Sequence, residues 1–265
     1  MLPYLGVTSF QIGPVAVQAW GTLVSAGFVV GTWVAARRAK RMGLESRRMW
    51  DLAFWLLLAA MVGSRVFHVF VYEPGHYLAH PIDAIDPRLP GYAIYGGFVA
   101  ALFAFWIYVR RHGLDFLAWA DATIWGLPWG CGVGRIGCFL IHDHPGTLSH
   151  GLLAVKYPDG QSRHDLGLYL SLVGFGIGLV FLILQCLGRV SRFAWIETAA
   201  RKPGFWLGLF LMFDAASRVW LDFYRAVDVR YVGLTPTQWL TIPLVGLGAW
   251  LVGRKVAARK PEPTP

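Results

Sequence analysis

The 265-residue chain is 56% hydrophobic, 15% charged and has a mean hydropathy of +0.49. Those proportions exclude an ordinary soluble domain and leave a polytopic membrane protein as the class. A net charge of +9 raises nucleic acid as a partner, a reading that depends on where the charges lie.

The N-terminal stretch MLPYLGVTSFQIGPV lacks the basic start and small-residue cleavage site of a signal peptide. The first apolar run is therefore expected to remain as a membrane helix. A bilayer core takes about 20 apolar residues per helix. Runs at 15–36, 50–72, 93–109, 117–141, 167–188, 204–224 and 236–253 predict seven spans. The third is short, and glycines around Pro128 interrupt the fourth. The expected organisation is one all-α, seven-span domain over 1–253 with outer loops at 73–92 and 142–166, then a basic, proline-rich, disordered tail at 254–265. Cys131, Cys138 and Cys186 lie in apolar runs without paired spacing, so they indicate neither a disulfide framework nor a cysteine zinc site.

Lysine and arginine concentrate in loops 37–49, 110–116 and 189–203 and in the tail, whereas loops 73–92, 142–166 and 225–235 are poorer in them. By the positive-inside rule the N-terminus lies outside, the C-terminus lies in the cytoplasm and the span number is odd. The basic excess is thereby a topology signal, and nucleic acid loses its support as a partner.

Three arginines remain inside spans: Arg65, Arg135 and Arg218. Each lies on a helix running outward, and at 1.5 Å per residue each sits roughly 21–27 Å from the inner end. Tyr95 opens the third span at the same level, just as His142, Asp143 and His144 follow the fourth. An arginine at such depth costs about 2.5–3.5 kcal/mol on insertion scales unless it meets a partner or cavity. Three at one level suit an anion, and the anion present there is a lipid phosphate, which the guanidinium fork binds through two oxygens.

Structural readings stand beside this one. Asp214, Arg218 and Asp222 are spaced i, i+4, i+8, so Arg218 can be neutralised on its own helix. Arg65 can snorkel outward. Asp121 is expected to pair with another helix, and Cys138 to pack. The histidine-rich stretch is either an exposed loop or, with His150 and His164, a weak metal pattern matching no strong zinc signature.

The chain resembles the prolipoprotein diacylglyceryl transferase family. The resemblance runs through IGPVAVQAWG, GSRVFHVFVY, YGGFVA, GRIGCFLIHDHPG, RHDLGLYL, SRVWLDFYR and GLTPTQWLTIP, in that order along nearly the whole chain. GRIGCFLIHDHPG is similar to the family signature GR-x-GN-F-x-N-x-E, which a glycine follows three residues on. The resemblance implies that Arg135 holds the headgroup of phosphatidylglycerol and that Arg218 is essential. Gly96, Gly97, Gly134, Gly137 and Gly146 fall on motif glycines, and Arg65 and Tyr169 on family positions. The chain departs from the pattern at Tyr95, where the family has histidine, and at Cys138 and Ile141, where it has asparagines. Asp143 stands for the family glutamate, Asp214 for a tyrosine of the sixth span and Trp20 for one of the first.

The implied reaction moves diacylglyceryl from phosphatidylglycerol to the thiol of a lipobox cysteine in a lipoprotein precursor, with glycerol phosphate leaving. It implies no metal or other cofactor, a multi-pass location in the bacterial inner membrane and a monomer. Arg135 and Arg218, with Arg65, Gly96, Gly97, Gly137 and Gly146, are the expected phosphate-side residues. Asp143 with His142 or His144 is expected to handle the thiol proton, and Tyr95 to donate a hydrogen bond. Two other transferase or binding readings remain: a changed lipid donor or acceptor, and a non-catalytic lipid-binding protein. A metal-assisted hydrolase on His142, Asp143, His144, His150 and His164 is the last.

Overall fold

The computed structural model describes residues 1–86, 89–226 and 232–254. The tail at 255–265, expected to be disordered, lies outside the described residues, as does 227–231 of the last outer loop.

The chain is mostly helical, and five helices are long and apolar enough to cross a membrane. It opens with a short strand, β1 (Leu2–Pro3), and a hairpin of β2 (Ser9–Ile12) and β3 (Val15–Gln18). The first span was expected from residue 15. It begins later, as α1 (Ala19–Arg41), and runs further than expected. Gly13 at φ +60° and the following Pro14, which lacks an N–H, turn the chain before a helix can start.

Then come α2 (Ser46–Phe67), extended by a π-turn at His68–Tyr72, the short α3 (Pro74–Ala79), a 3-10 turn at Pro81–Ile85, and α4 (Ile94–Arg111). Next is α5 (Phe116–Ile141), which continues unbroken through Pro128. Beyond it the expected loop contains three strands, β4 (Pro145–Leu148), β5 (Val155–Lys156) and β6 (Ser162–Asp165). The last helices are α6 (Leu166–Gly188), α7 (Ala194–Ala200), α8 (Phe205–Asp222) and α9 (Pro236–Gly253). A 91° bend separates the Ser191–Ala200 segment from α8, so the pair supplies at most one further span. The bend falls at Gly204, whose φ of +86° suits glycine.

The chain divides into two compact units, 1–44 with 120–265, and 45–119. In the smaller unit α2 packs on α4. A Cβ on Gly96 would lie 2.2 Å from Phe67 Cβ, and one on Gly63 2.2 Å from Ala100 Cβ, so only glycine permits this approach. Tyr108 donates to Asp51 at 2.7 Å on the same helix pair. Phe54, Leu58, Met61 and Val62 stay exposed, as lipid-facing residues do.

In the larger unit Gly27 and Gly31 of α1 meet Gly126 and Gly130 of α5 backbone to backbone, while Gly174 of α6 meets Gly132. Trp125, Ile177, Phe181, Phe205 and Trp206 form an aromatic core, over which Arg38 stacks at 4.3 Å from the Trp125 ring. Asp121 pairs with another helix, as expected. Its two oxygens accept Gly204 N–H at 2.7 Å and Leu207 N–H at 2.9 Å and cap the start of α8. A four-stranded sheet in the order β1-β5-β6-β4 ties the N-terminus to the segment after α5.

Candidate active site at the end of α5

The local structure of GRIGCFLIHDHPG sets the site. α5 carries Arg135 and Cys138 on its last turns, and His142 at φ +51° takes the left-handed position that ends a helix. The chain then turns back, so that ligand atoms of Cys138, Asp143 and His144 lie within 4.8 Å of one another. Glycine serves packing here too. A Cβ on Gly137 would stand 3.2 Å from Leu23 Cβ and from the Trp20 backbone, and one on Gly146 2.7 Å from the Tyr224 carbonyl.

Arg135 donates through Nη1 to Cys138 Sγ at 3.7 Å and, among the described residues, forms no salt bridge. Arg218 donates through Nε to Asp214 Oδ2 at 2.6 Å. That contact is the expected i, i+4 pair. It holds the guanidinium by its inner nitrogen, which leaves Nη1 and Nη2 as the fork for another anion. Asp222, the third member of the i+8 series, turns elsewhere. It accepts from Thr235 Oγ1 at 2.7 Å, where Thr235 and Gln238 form the capping box of α9. Arg135 on α5 and Arg218 on α8 belong to the same compact unit.

His142 is buried. Its Nδ1 lies 2.6 Å from Asp165 Oδ2, and its Nε2 accepts Leu5 N–H at 3.3 Å. The Leu5 contact assigns the tautomer: Nε2 bears the lone pair, so Nδ1–H donates to Asp165. Tyr4 stacks on the ring at 4.1 Å, Tyr157 donates to Asp165 Oδ2 at 3.1 Å, and Asp165 Oδ1 caps α6 through Leu168 N–H at 3.0 Å. Burial first, then the Asp165 charge, pushes the Tyr157 phenol above its usual range. Both nitrogens of His142 are thus engaged, which bears on the expectation that it or His144 aids Asp143 in proton handling.

Asp143 and His144 are different. Oδ1 and Nδ1 are 2.5 Å apart, and both side chains are about one-third exposed, at 32% and 38%. His164 contacts Tyr169 OH at 2.7 Å and packs on Tyr224, and its pKa is lowered by burial. The five-residue metal set of His142, Asp143, His144, His150 and His164 does not gather; among the described residues Cys138 joins Asp143 and His144 instead.

In the smaller unit Arg65 gives all three of its nitrogens to backbone carbonyls. Nε reaches Ala84 at 3.0 Å, Nη1 reaches Pro90 at 2.9 Å and Gly91 at 3.0 Å, and Nη2 reaches Asp83 at 2.6 Å. The guanidinium therefore ties residues 83–86 to residues 89–91 and presents no open fork in this conformation. Gly96 and Gly97 are buried against α2, so their contacts are with protein. Tyr95 on the first turn of α4 is exposed.

Sequence reasoning missed Asp165, Tyr4 and Tyr157. Only Asp165 carried a signal, an aspartate directly before the apolar run of α6, which reads as an N-cap.

Residues 7–254 match the family model described as prolipoprotein diacylglyceryl transferase. The phosphatidylglycerol–prolipoprotein diacylglyceryl transferase of Tolumonas auensis is 30% identical over 94% of this chain and 96% of its own length. Proteins of the same name from Chromohalobacter salexigens and Nitrosomonas europaea are also 30% identical, covering 93% and 94% of this chain and 91% and 90% of theirs. With a match that spans every helix and all three arginine-bearing segments, the chain belongs to the prolipoprotein diacylglyceryl transferase family.

Proposed function

We propose that the protein transfers diacylglyceryl from phosphatidylglycerol to the lipobox cysteine of a lipoprotein precursor, as a monomer in the bacterial cytoplasmic membrane. The observation that carries this is the pair of half-buried guanidiniums on the helices of one unit. Among the described residues Arg135 has no acidic partner and Arg218 is held at Nε alone. Two forks of this kind in a low-dielectric site stabilise the charge that builds on a departing phosphate.

Seven spans fit the reading: α1, α2, α4, α5, α6, α8 and α9. The 18 residues of α9 reach about 27 Å, near the roughly 30 Å of a hydrocarbon core. The basic ends of α1 and α4, Arg38, Lys40 and Arg41 with Arg110 and Arg111, support a cytoplasmic position for those ends and an outside N-terminus.

A free thiol titrates near 8.5, so the incoming cysteine needs help to become a thiolate. Asp143 and His144 supply it at the exposed lip. His142 is a positioning residue, fixing through Asp165 and Leu5 the turn that carries them. Tyr95 donates a hydrogen bond to the lipid, and Arg65 acts through the loop it organises. The thiolate attacks the glyceryl carbon, its C–O bond breaks, and the electron pair leaves on glycerol phosphate.

The test incubates the purified protein with phosphatidylglycerol and a lipobox peptide, following glycerol phosphate and the mass of the peptide. Both signals, lost in Arg135→Ala, are expected. Bound lipid with neither signal makes the protein a lipid binder, and transfer from another lipid alone makes it a transferase of changed donor.

A further inference from the structure

We propose that Cys138, Asp143 and His144 form a site for a soft divalent cation of the zinc type, with its fourth position open to the substrate thiol. The ligand set stands on the geometry; the identity of the thiol rests on the transferase reading above.

Three observations support it. The first is the donor set. Sulfur, carboxylate oxygen and imidazole nitrogen all lie within 4.8 Å of one another, so modest side-chain adjustment brings them to the roughly 3.3–3.8 Å that separates tetrahedral ligands each about 2.0–2.3 Å from one zinc ion. A thiolate among them selects zinc over magnesium or calcium. The second is the support around the site. The turn that brings Asp143 and His144 back over Cys138 is pinned at His142, whose ring is locked by Asp165, Leu5 and Tyr4. Such a fixed turn lowers the cost of gathering the ligands, which includes parting Asp143 Oδ1 from His144 Nδ1, now 2.5 Å apart.

The third is the gradient of exposure and charge. Cys138 is buried at 6% exposure, while Asp143 and His144 are about one-third exposed, so the three close one side of an ion and leave the other open. Thiolate and carboxylate together balance a double positive charge, which leaves the Arg135 charge for phosphate.

Two of the three ligands are positions where the chain departs from the signature it otherwise resembles, Cys138 for asparagine and Asp143 for glutamate. A zinc ion with three protein ligands keeps a fourth place for a reacting group, and a coordinated thiol loses its proton. The lipobox thiol would bind there and release its proton to solvent. Its sulfur pair then attacks the glyceryl carbon, and the C–O pair departs with glycerol phosphate against Arg135 and Arg218. The thioether product is uncharged and a poorer ligand, which frees the ion for another cycle. In the loaded protein Asp143 and His144 hold the ion in place of the proton.

A second group, His76, His80 and Asp83, offers no sulfur and is mostly exposed. It serves as the control. The full-length protein in detergent is stripped with chelator, dialysed against zinc and analysed for metal per chain. One zinc is expected in the wild type and in His76→Ala/His80→Ala, with affinity at least tenfold weaker in Cys138→Asn and His144→Ala. Thermal melting confirms that Cys138→Asn, which installs the residue usual in the family, is folded. Failure of the wild type to take up zinc, or unchanged binding in Cys138→Asn, overturns the site. Transfer is then compared between stripped and reloaded wild type, with at least a tenfold rise expected on reloading. Equal rates overturn the role of the ion and leave the transferase intact. Zinc bound without transfer in either form overturns the transferase reading and leaves the ligand set standing.

Discussion

Replacing Asp165 with asparagine separates a positioning role for His142 from a catalytic one. Asp165 is fully buried and accepts three hydrogen bonds, from His142 Nδ1, Tyr157 OH and Leu168 N. Asparagine keeps the Leu168 cap through its one oxygen, and its NH2 then faces the Nδ1–H of His142. The imidazole gains nothing by switching tautomer, because Nε2 would then present a hydrogen to Leu5 N–H. Leaving a buried donor without its acceptor costs about 1–3 kcal/mol. Because two donors then face each other while the cap is retained, we expect about 3 kcal/mol, the high end of that range. At about 2–4 °C per kcal/mol for a chain near this size, the apparent melting temperature falls by roughly 6–12 °C. The assay is tryptophan-monitored unfolding in detergent, paired with lipid transfer measured well below the transition, where substantial activity should survive. Unchanged melting with abolished transfer would refute the positioning role and return the pair to the chemistry.

Arg135→Ala should lower transfer by about 10²–10³-fold or more, the usual cost of losing a donor aimed at developing charge. Tyr95→Phe, which removes one hydrogen bond, should be milder in the same assay. Gly96→Ala should destabilise the protein by about 1–3 kcal/mol, since its methyl would meet Phe67 Cβ at 2.2 Å, and melting in detergent reads the loss directly. Burial depresses the pKa of His164. The unfolded chain therefore takes up this proton first, and stability present above about pH 6.5 is lost as pH falls toward the lower folded value. Melting curves from pH 8 to pH 5 should show that loss reduced in His164→Gln; an equal loss in the variant removes His164 as its source.

The five helices long and apolar enough to cross a membrane were legible because a bilayer demands long apolar runs, and no tertiary contact can excuse a helix from that demand. Where local chemistry competes, the reading slipped. Residues 15–18 look apolar enough for a span, yet Gly13 and Pro14 put them in a hairpin. Pro128 looked like a break, but α5 continues through it, with glycines on either side pressed against α1 and α6. The strands after α5 are two to four residues long, too short for alternation to show in a sequence, and β1 pairs with a partner more than 150 residues away.

For the site, the sequence alone determined that Arg65, Arg135 and Arg218 stand in apolar runs, whatever the packing. Only the tertiary structure decided what each does, because a guanidinium is defined by its partners. Arg65 gives its donors to a loop, Arg218 is held at one nitrogen, and Arg135 is left without an acidic partner among the described residues. The two histidines of His142-Asp143-His144 are just two residues apart in the chain. A left-handed backbone at His142 and the distant Asp165 bury the first, while the second stays at the lip beside Cys138. That division comes from long-range contacts, which a local sequence pattern does not encode.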